Sequence, residues 1–132
     1  MADLLVPESH RDLFTGTTIM LSTLNPDGSI QTTAVWSLLG EDGVVRTSLS
    51  KNRQKYRNLL ANPTATVFAL AADNPFRFIE IRATATIEDD SDKTFLTSLL
   101  ATYGRTLEQF GAPGLEPRVV VTFAATRVRP SG

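Results

Sequence analysis

Two tight turn signals, Asn25-Pro26-Asp27-Gly28 and Gly40-Glu41-Asp42-Gly43, constrain this chain most, because they join three successive β-type segments with no room for a helix between them. Residues 17–24 (TTIMLSTL) and 29–39 (SIQTTAVWSLL) are rich in β-branched and apolar types, and residues 44–49 follow the second turn. Strands joined in this way run antiparallel. Residues 64–71 read as a fourth strand and Asp73-Asn74-Pro75 as a turn. Residues 76–88 form a long fifth strand, in which Phe78, Glu80 and Arg82 alternate with Ile79 and Ile81. A last strand covers residues 118–128 (RVVVTFAATRV).

The helical segments are short. One lies near Glu8 to Phe14. A second spans 50–62, with Tyr56, Leu59 and Leu60 on one face and Asn62-Pro63 as its stop. The third, 91–103, places Phe95, Leu96, Leu99 and Leu100 on one face, with Ser91 as N-cap and Gly104 as stop. A Gly/Pro loop at 111–117 precedes the last strand. Six strands, two or three short helices and no βαβ alternation predict an α+β, mainly β fold. An antiparallel barrel is the economical form, because closure removes the sheet edges. Length and composition suit one domain over residues 1–132.

Charge and composition narrow the chemistry. Thirteen basic and fourteen acidic residues give a net charge of −1, so no whole-chain field favours nucleic acid or an anionic membrane. Cysteine is absent, which removes disulfides, thiolate ligands and a Cys nucleophile and agrees with a reducing compartment. The acidic start, MADLLVPESHRDLF, lacks a basic leader pattern, and no run of about 18 apolar residues occurs, so a cytoplasmic protein is expected. His10 is the only histidine, which leaves no multi-His metal site or His-based triad within one chain and makes a packing or surface role the expectation. Glu88-Asp89-Asp90 with Asp92 precedes a helix, where carboxylates favour the dipole, so capping explains them without a metal. Neither GxGxxG nor a Walker A sequence is present.

The sharpest local feature is Lys51, Arg53, Lys55 and Arg57, four cations in seven residues at the start of a predicted helix. Cations are disfavoured there by about 0.3–1 kcal/mol each, since the helix N-terminus carries positive partial charge. Two readings fit: a solvated basic face, or a bound anion such as phosphate, with Thr47, Ser48 and Ser50 as hydroxyl donors. A start near residues 52–54 would let Arg53 and Lys55 reach one anion. Trp36 shares its strand with Thr32, Thr33 and Ser37, a mixture suited to a face that touches something planar and polar.

Three stretches in this order, LSTLNPDGSIQTTAVW, VVRTSLSKNRQKYRNLLANPTATVFAL and DNPFRFIEIRATATI, followed by RVVVTFAATRV, resemble the pyridoxamine 5′-phosphate oxidase-like split-barrel proteins. More narrowly they resemble the small actinobacterial branch that uses the deazaflavin coenzyme F420. The resemblance runs from about Ile19 to Ile87 and resumes at Arg118. It implies a homodimer with two equivalent cofactor sites, each built from both subunits. It places the cofactor phosphate on Arg53 and Lys55, and the ring system against Val35, Trp36, Thr47 and Ser48; Lys51, from the same basic cluster, is a further candidate for cofactor binding. The resemblance also brings the turn of Asn74, Pro75, Phe76 and Arg77 near the site. Thr33, Asn52 and Ala83 depart from residues common in the family, although Asn at position 52 can take the left-handed backbone of a glycine. Residues 105–116 do not align.

The implied activity is hydride transfer from reduced F420 to a planar conjugated acceptor such as an enone, quinone or tetrapyrrole, with the cofactor carrying the chemistry and no catalytic side chain required. Two alternatives accompany it: an FMN-binding flavoprotein that also reacts with oxygen, and a non-catalytic protein that binds or sequesters the cofactor.

Overall fold

The computed structural model describes residues 4–132. Six strands, β1 (Thr18–Leu24), β2 (Ile30–Leu39), β3 (Val45–Ser50), β4 (Thr64–Ala71), β5 (Asn74–Asp89) and β6 (Arg118–Ser131), form a closed antiparallel barrel in the order β1-β2-β3-β6-β5-β4. Helices α1 (Gln54–Ala61), α2 (Thr94–Thr102) and α3 (Leu107–Phe110) and two 3-10 turns, Glu8–Phe14 and Ala112–Leu115, attach to it. The expected antiparallel barrel is therefore the fold. None of the helices among the described residues is long and apolar enough to cross a membrane.

Burial alternates with period two along the strands, as an inward face demands. Ile19 and Leu21 of β1, Val67 and Ala69 of β4, Ile79 and Ile81 of β5 and Val119, Val121 and Phe123 of β6 fill the interior. A register shift at Arg82/Ala83 changes the alternation late in β6, so that Val128 joins the core packing while Arg127 and Arg129 stay exposed. The first turn closes as its sequence requires: Gly28 has φ +87°, and its N–H donates to Asn25 O at 2.9 Å.

Several boundaries differ from expectation. Asn74 and Pro75 begin β5 instead of forming the turn, which shrinks to Ala72 and Asp73. Helix α1 starts at Gln54, because Arg53 keeps an extended backbone (φ −105°, ψ 149°) and the preceding residues turn. On α1 the buried pair is Asn58 and Leu59, while Leu60 is 59% exposed. Asn58 goes inward because its amide has partners there: it donates to Thr23 Oγ1 and Asn25 Oδ1 and accepts from Gln54 Nε2. Helix α2 begins at Thr94 with Lys93 at the N-cap position, and the side chain that caps it is that of Asp90 in place of Ser91. Both carboxylate oxygens of the buried Asp90 accept helix N–H groups, from Phe95 at 3.0 Å and Leu96 at 2.9 Å. Residues 106–115 fold into α3 and a 3-10 turn, with a Thr106/Gln109 capping box at the start of α3. His10 is a packing residue, buried with Nε2 2.8 Å from Ser131 O.

Candidate functional site

β2 changes partners midway. Residues 30–36 pair with β1, ending at Thr18↔Trp36, whereas Ser37, Leu38 and Leu39 pair with Thr47, Arg46 and Val45 of β3. Before Ser37 on one strand and after Thr47 on the other, the two strands diverge and the barrel wall splits. A cleft of about 490 Å³ occupies this split. Its lips are Ala34, Val35 and Trp36 of β2 and Ser48, Leu49 and Ser50 of β3. Leu96, Leu99 and Leu100 of α2 line it too, and so do Phe110 and Pro113 of the 106–115 segment.

Three cations converge on the cleft: Arg53, Lys55 and Arg118. The extended Arg53 and the first-turn Lys55 both reach it because the helix starts between them. Lys55 Nζ donates to Thr33 Oγ1 at 3.0 Å. Burial, then the charges of Arg53 and Arg118, pull the Lys55 ammonium below its usual pKa. Arg118 is 8% exposed. Its guanidinium donates to Ser48 Oγ (3.1 Å), Ser48 O (3.3 Å) and Pro113 O (3.4 Å), and packs over the Phe110 ring at 5.7 Å. Burial is also the main cause that lowers its pKa. Two carboxylates face this group: Asp90, whose charge acts on Arg118, and Glu116, which is held below its usual range by the Ser50 hydroxyl first, with Arg53, Asn52 and Arg118 contributing. Three cations against two carboxylates still leave an excess of positive charge in a partly buried place, which an anion would relieve.

Trp36 brings an aromatic ring to the cleft. Trp36 stacks on Tyr103, with ring centroids 4.2 Å apart and planes within 5°. The Trp36 carbonyl accepts from Thr47 Oγ1 at 2.6 Å. The cleft thus combines convergent cations with apolar, partly flat surface.

Of the residues singled out from sequence, Val35, Trp36, Ser48, Arg53 and Lys55 come together on the cleft. Thr47 does not line it: the side chain is fully buried and supports Trp36 from behind. Lys51 is turned to β5, where its ammonium lies 2.8 Å from Asp89. Arg57 donates to Gln54 Oε1 on the solvent side of α1. Asn74, Phe76 and Arg77 lie at the β4–β5 turn, away from the cleft. Arg77 pairs there with Asp12, while Phe76 is 77% exposed. Sequence reasoning missed Arg118 and the α2 and α3 walls. Arg118 follows Pro117 at the start of an apolar strand, and only the pairing Ser50↔Arg118 carries it to the basic cluster.

A family model described as pyridoxamine 5′-phosphate oxidase matches residues 6–132. Among solved structures, one named F420 reductase superposes with a TM-score of 0.82 at 31% identity, covering 94% of this chain and 98% of the other. A conserved hypothetical protein from Mycobacterium tuberculosis gives 0.74 at 23% identity over 99% of this chain and 88% of its own. HupZ of Group A Streptococcus gives 0.69 at 15% identity, over 94% and 92%. These last two show likeness of fold alone. No functionally curated protein matches the sequence.

Proposed function

The chain belongs to the pyridoxamine 5′-phosphate oxidase family, and from that premise we propose that it is an F420-dependent oxidoreductase acting on a flat, conjugated acceptor. The observation that carries the reading is the mixed lining of the cleft: the cations Arg53, Lys55 and Arg118 together with Trp36 and the α2 leucines. A phosphorylated cofactor with a flat conjugated ring presents this same combination of charge and apolar surface. Arg53, Lys55 and Arg118 hold the phosphate, with the Ser48 and Ser50 hydroxyls beside it. Val35 and Trp36 flank the ring. When bound, reduced deazaflavin supplies the hydride. The protein's part is to bind, orient and exclude water; the cleft offers no histidine or cysteine, and the Tyr103 hydroxyl is committed to backbone groups.

The reading extends to a homodimer. The outward residues of β1, β2, β4 and β5 include Met20 (38% exposed), Leu70 (51%), Ala34, Phe68 and Phe78, the last two with rings 5.3 Å apart. Met20 lies opposite both Ala34 and Phe68, so these residues form a continuous apolar stripe. Thr18, Ala34 and Trp36 belong to this outer face and also line the cleft. A second copy seated on the stripe would close the cleft and bring exposed groups such as Phe76 within reach of it.

Titration with F420, followed by its fluorescence, tests the assignment; saturable binding together with hydride transfer to an enone or quinone panel is expected. Protein that isolates yellow and releases FMN on denaturation would replace F420 with FMN at the same site. Tight binding with no transfer to any acceptor would make the protein a cofactor carrier. Absence of binding to either cofactor refutes the reading.

A further inference from the structure

Tyr103 follows α2 at its C-cap and reaches back to the point where β2 changes partners. The rung after Thr18↔Trp36 would pair Thr17 with Ser37. Backbone pairing stops there, and the Tyr103 hydroxyl takes the place of the missing rung. It accepts from Ser37 N–H at 3.0 Å and donates to Thr17 O at 2.5 Å. The same side chain lies flat on the Trp36 indole, 4.2 Å between centroids. Thr47 Oγ1 fixes the Trp36 carbonyl from the β3 side. Trp36 is thus restrained through its backbone on two sides and through one face of its ring, while it still lines the cleft.

We propose that Tyr103 is a positioning residue that locks Trp36 as a flat wall of the cleft, against which the conjugated ring of the phosphorylated cofactor stacks. The inference rests on the cofactor reading of the cleft. It adds that affinity for the ring depends on a residue outside the cleft lining, through the orientation of one that lies within it. An unrestrained indole would populate several rotamers, and part of the stacking gain would be lost in ordering it. Aromatic stacking energies convert to about a three- to tenfold change in affinity.

Two variants separate the lock from general stability. Tyr103→Phe keeps the stacked ring and removes the inserted hydroxyl, so it lowers the melting temperature. Tyr103→Leu removes both. Trp36 is the only tryptophan, so its emission lifetime reports the lock directly. Tyr103→Phe is expected to keep a narrow Trp36 lifetime distribution and FMN and F420 affinities within about twofold of wild type. Tyr103→Leu is expected to broaden the lifetimes and weaken both ring ligands about three- to tenfold, with affinity for inorganic phosphate unchanged. Wild-type-like ring affinity in Tyr103→Leu overturns the positioning role. So does a loss that affects phosphate and ring ligands equally, or that follows melting temperature across both variants. If the wild-type protein binds neither FMN nor F420, the cofactor reading falls and the stacking role with it, which is a distinct result.

Discussion

Replacing Lys55 with methionine should weaken cofactor binding without harming the free protein, and the two effects have separate causes. Methionine keeps an unbranched apolar stem over the ground Lys55 now covers, while the ammonium disappears. In the free protein that ammonium is half-buried, beside Arg53 and Arg118, and its one hydrogen-bond acceptor is Thr33 Oγ1 at 3.0 Å. Loss of this bond costs about 0.5–1.5 kcal/mol, and relief of burial and like-charge repulsion works the other way. The melting temperature of the cofactor-free variant should therefore stay within about 3 °C of wild type, on the scale where 1 kcal/mol shifts a domain of this size by a few degrees.

Binding should respond differently. A charge-assisted hydrogen bond to phosphate is worth about 1.5–3 kcal/mol, so Lys55→Met should raise the Kd for F420 or FMN by about 10- to 150-fold at low ionic strength. The pH profile supplies a second signature. Lys55 has a lowered pKa in the free protein, and a bound phosphate raises it. Its contribution to affinity is then complete below the free-protein value and is lost as pH rises through the value in the complex. The alkaline loss of affinity should be present in wild type and reduced in Lys55→Met, since arginines stay charged throughout. Fluorescence titration across pH, with inorganic phosphate as competitor, reads both. Affinities within twofold of wild type would refute the phosphate assignment.

Other perturbations test other parts of the argument. Arg118→Met leaves Ser48 O and Pro113 O without their donor, so it should cost about 1–3 kcal/mol in urea unfolding, expose residues 106–115 to proteolysis and weaken phosphate binding. Asp90→Ala uncaps α2 and should cost about 1–2 kcal/mol by thermal or chemical denaturation. Met20→Glu places a charge in the middle of the apolar stripe and should yield monomers in sedimentation velocity, together with weaker cofactor binding. The hydrogen bond from Arg77 is the main cause that holds the Asp12 carboxyl below its ordinary value. The associated stability is present above the unfolded-state pKa and lost as pH falls through the native one, so Arg77→Ala should flatten the melting-temperature profile only on the acid side.

The barrel was legible because its signals are local. Asn25-Pro26-Asp27-Gly28 makes the turn its residues encode, and the alternation of Ile79 and Ile81 with Glu80 and Arg82 is the inward and outward alternation of β5. Arg53 and Lys55 were legible because a cation cluster at a helix start is locally unfavourable and so asks for an explanation. Lys51 and Arg118 were not, for opposite reasons. Lys51 belongs to the same local run, but Asp89, 38 positions later in the chain, claims it through the packing of β3 beside β6 and β5. Arg118 has no local signal and joins the cluster through β3–β6 pairing. Asn58 defeated the helical-face reading of α1 because a polar residue faces inward where Thr23 and Asn25 wait to satisfy it. Tyr103 likewise takes its meaning from Thr17 and Ser37, two groups remote in sequence.

The short seam between β2 and β3 bears on where the molecule opens. Ser37, Leu38 and Leu39 are the residues of β2 in register with β3, whereas β5 pairs with β6 from Phe78 to Asp89 with a single register shift at Arg82/Ala83. Closure of the barrel therefore depends on its least extensive ladder, and amide hydrogens along that seam should exchange through a local opening well below the global unfolding free energy. The cleft begins where the seam ends, so a ligand that bridges Trp36 and Ser48 acts as a clasp across it. Occupancy would slow exchange at Ser37–Leu39 and at Val45–Thr47 more than elsewhere, and the same linkage would make ligand release and seam opening a shared motion.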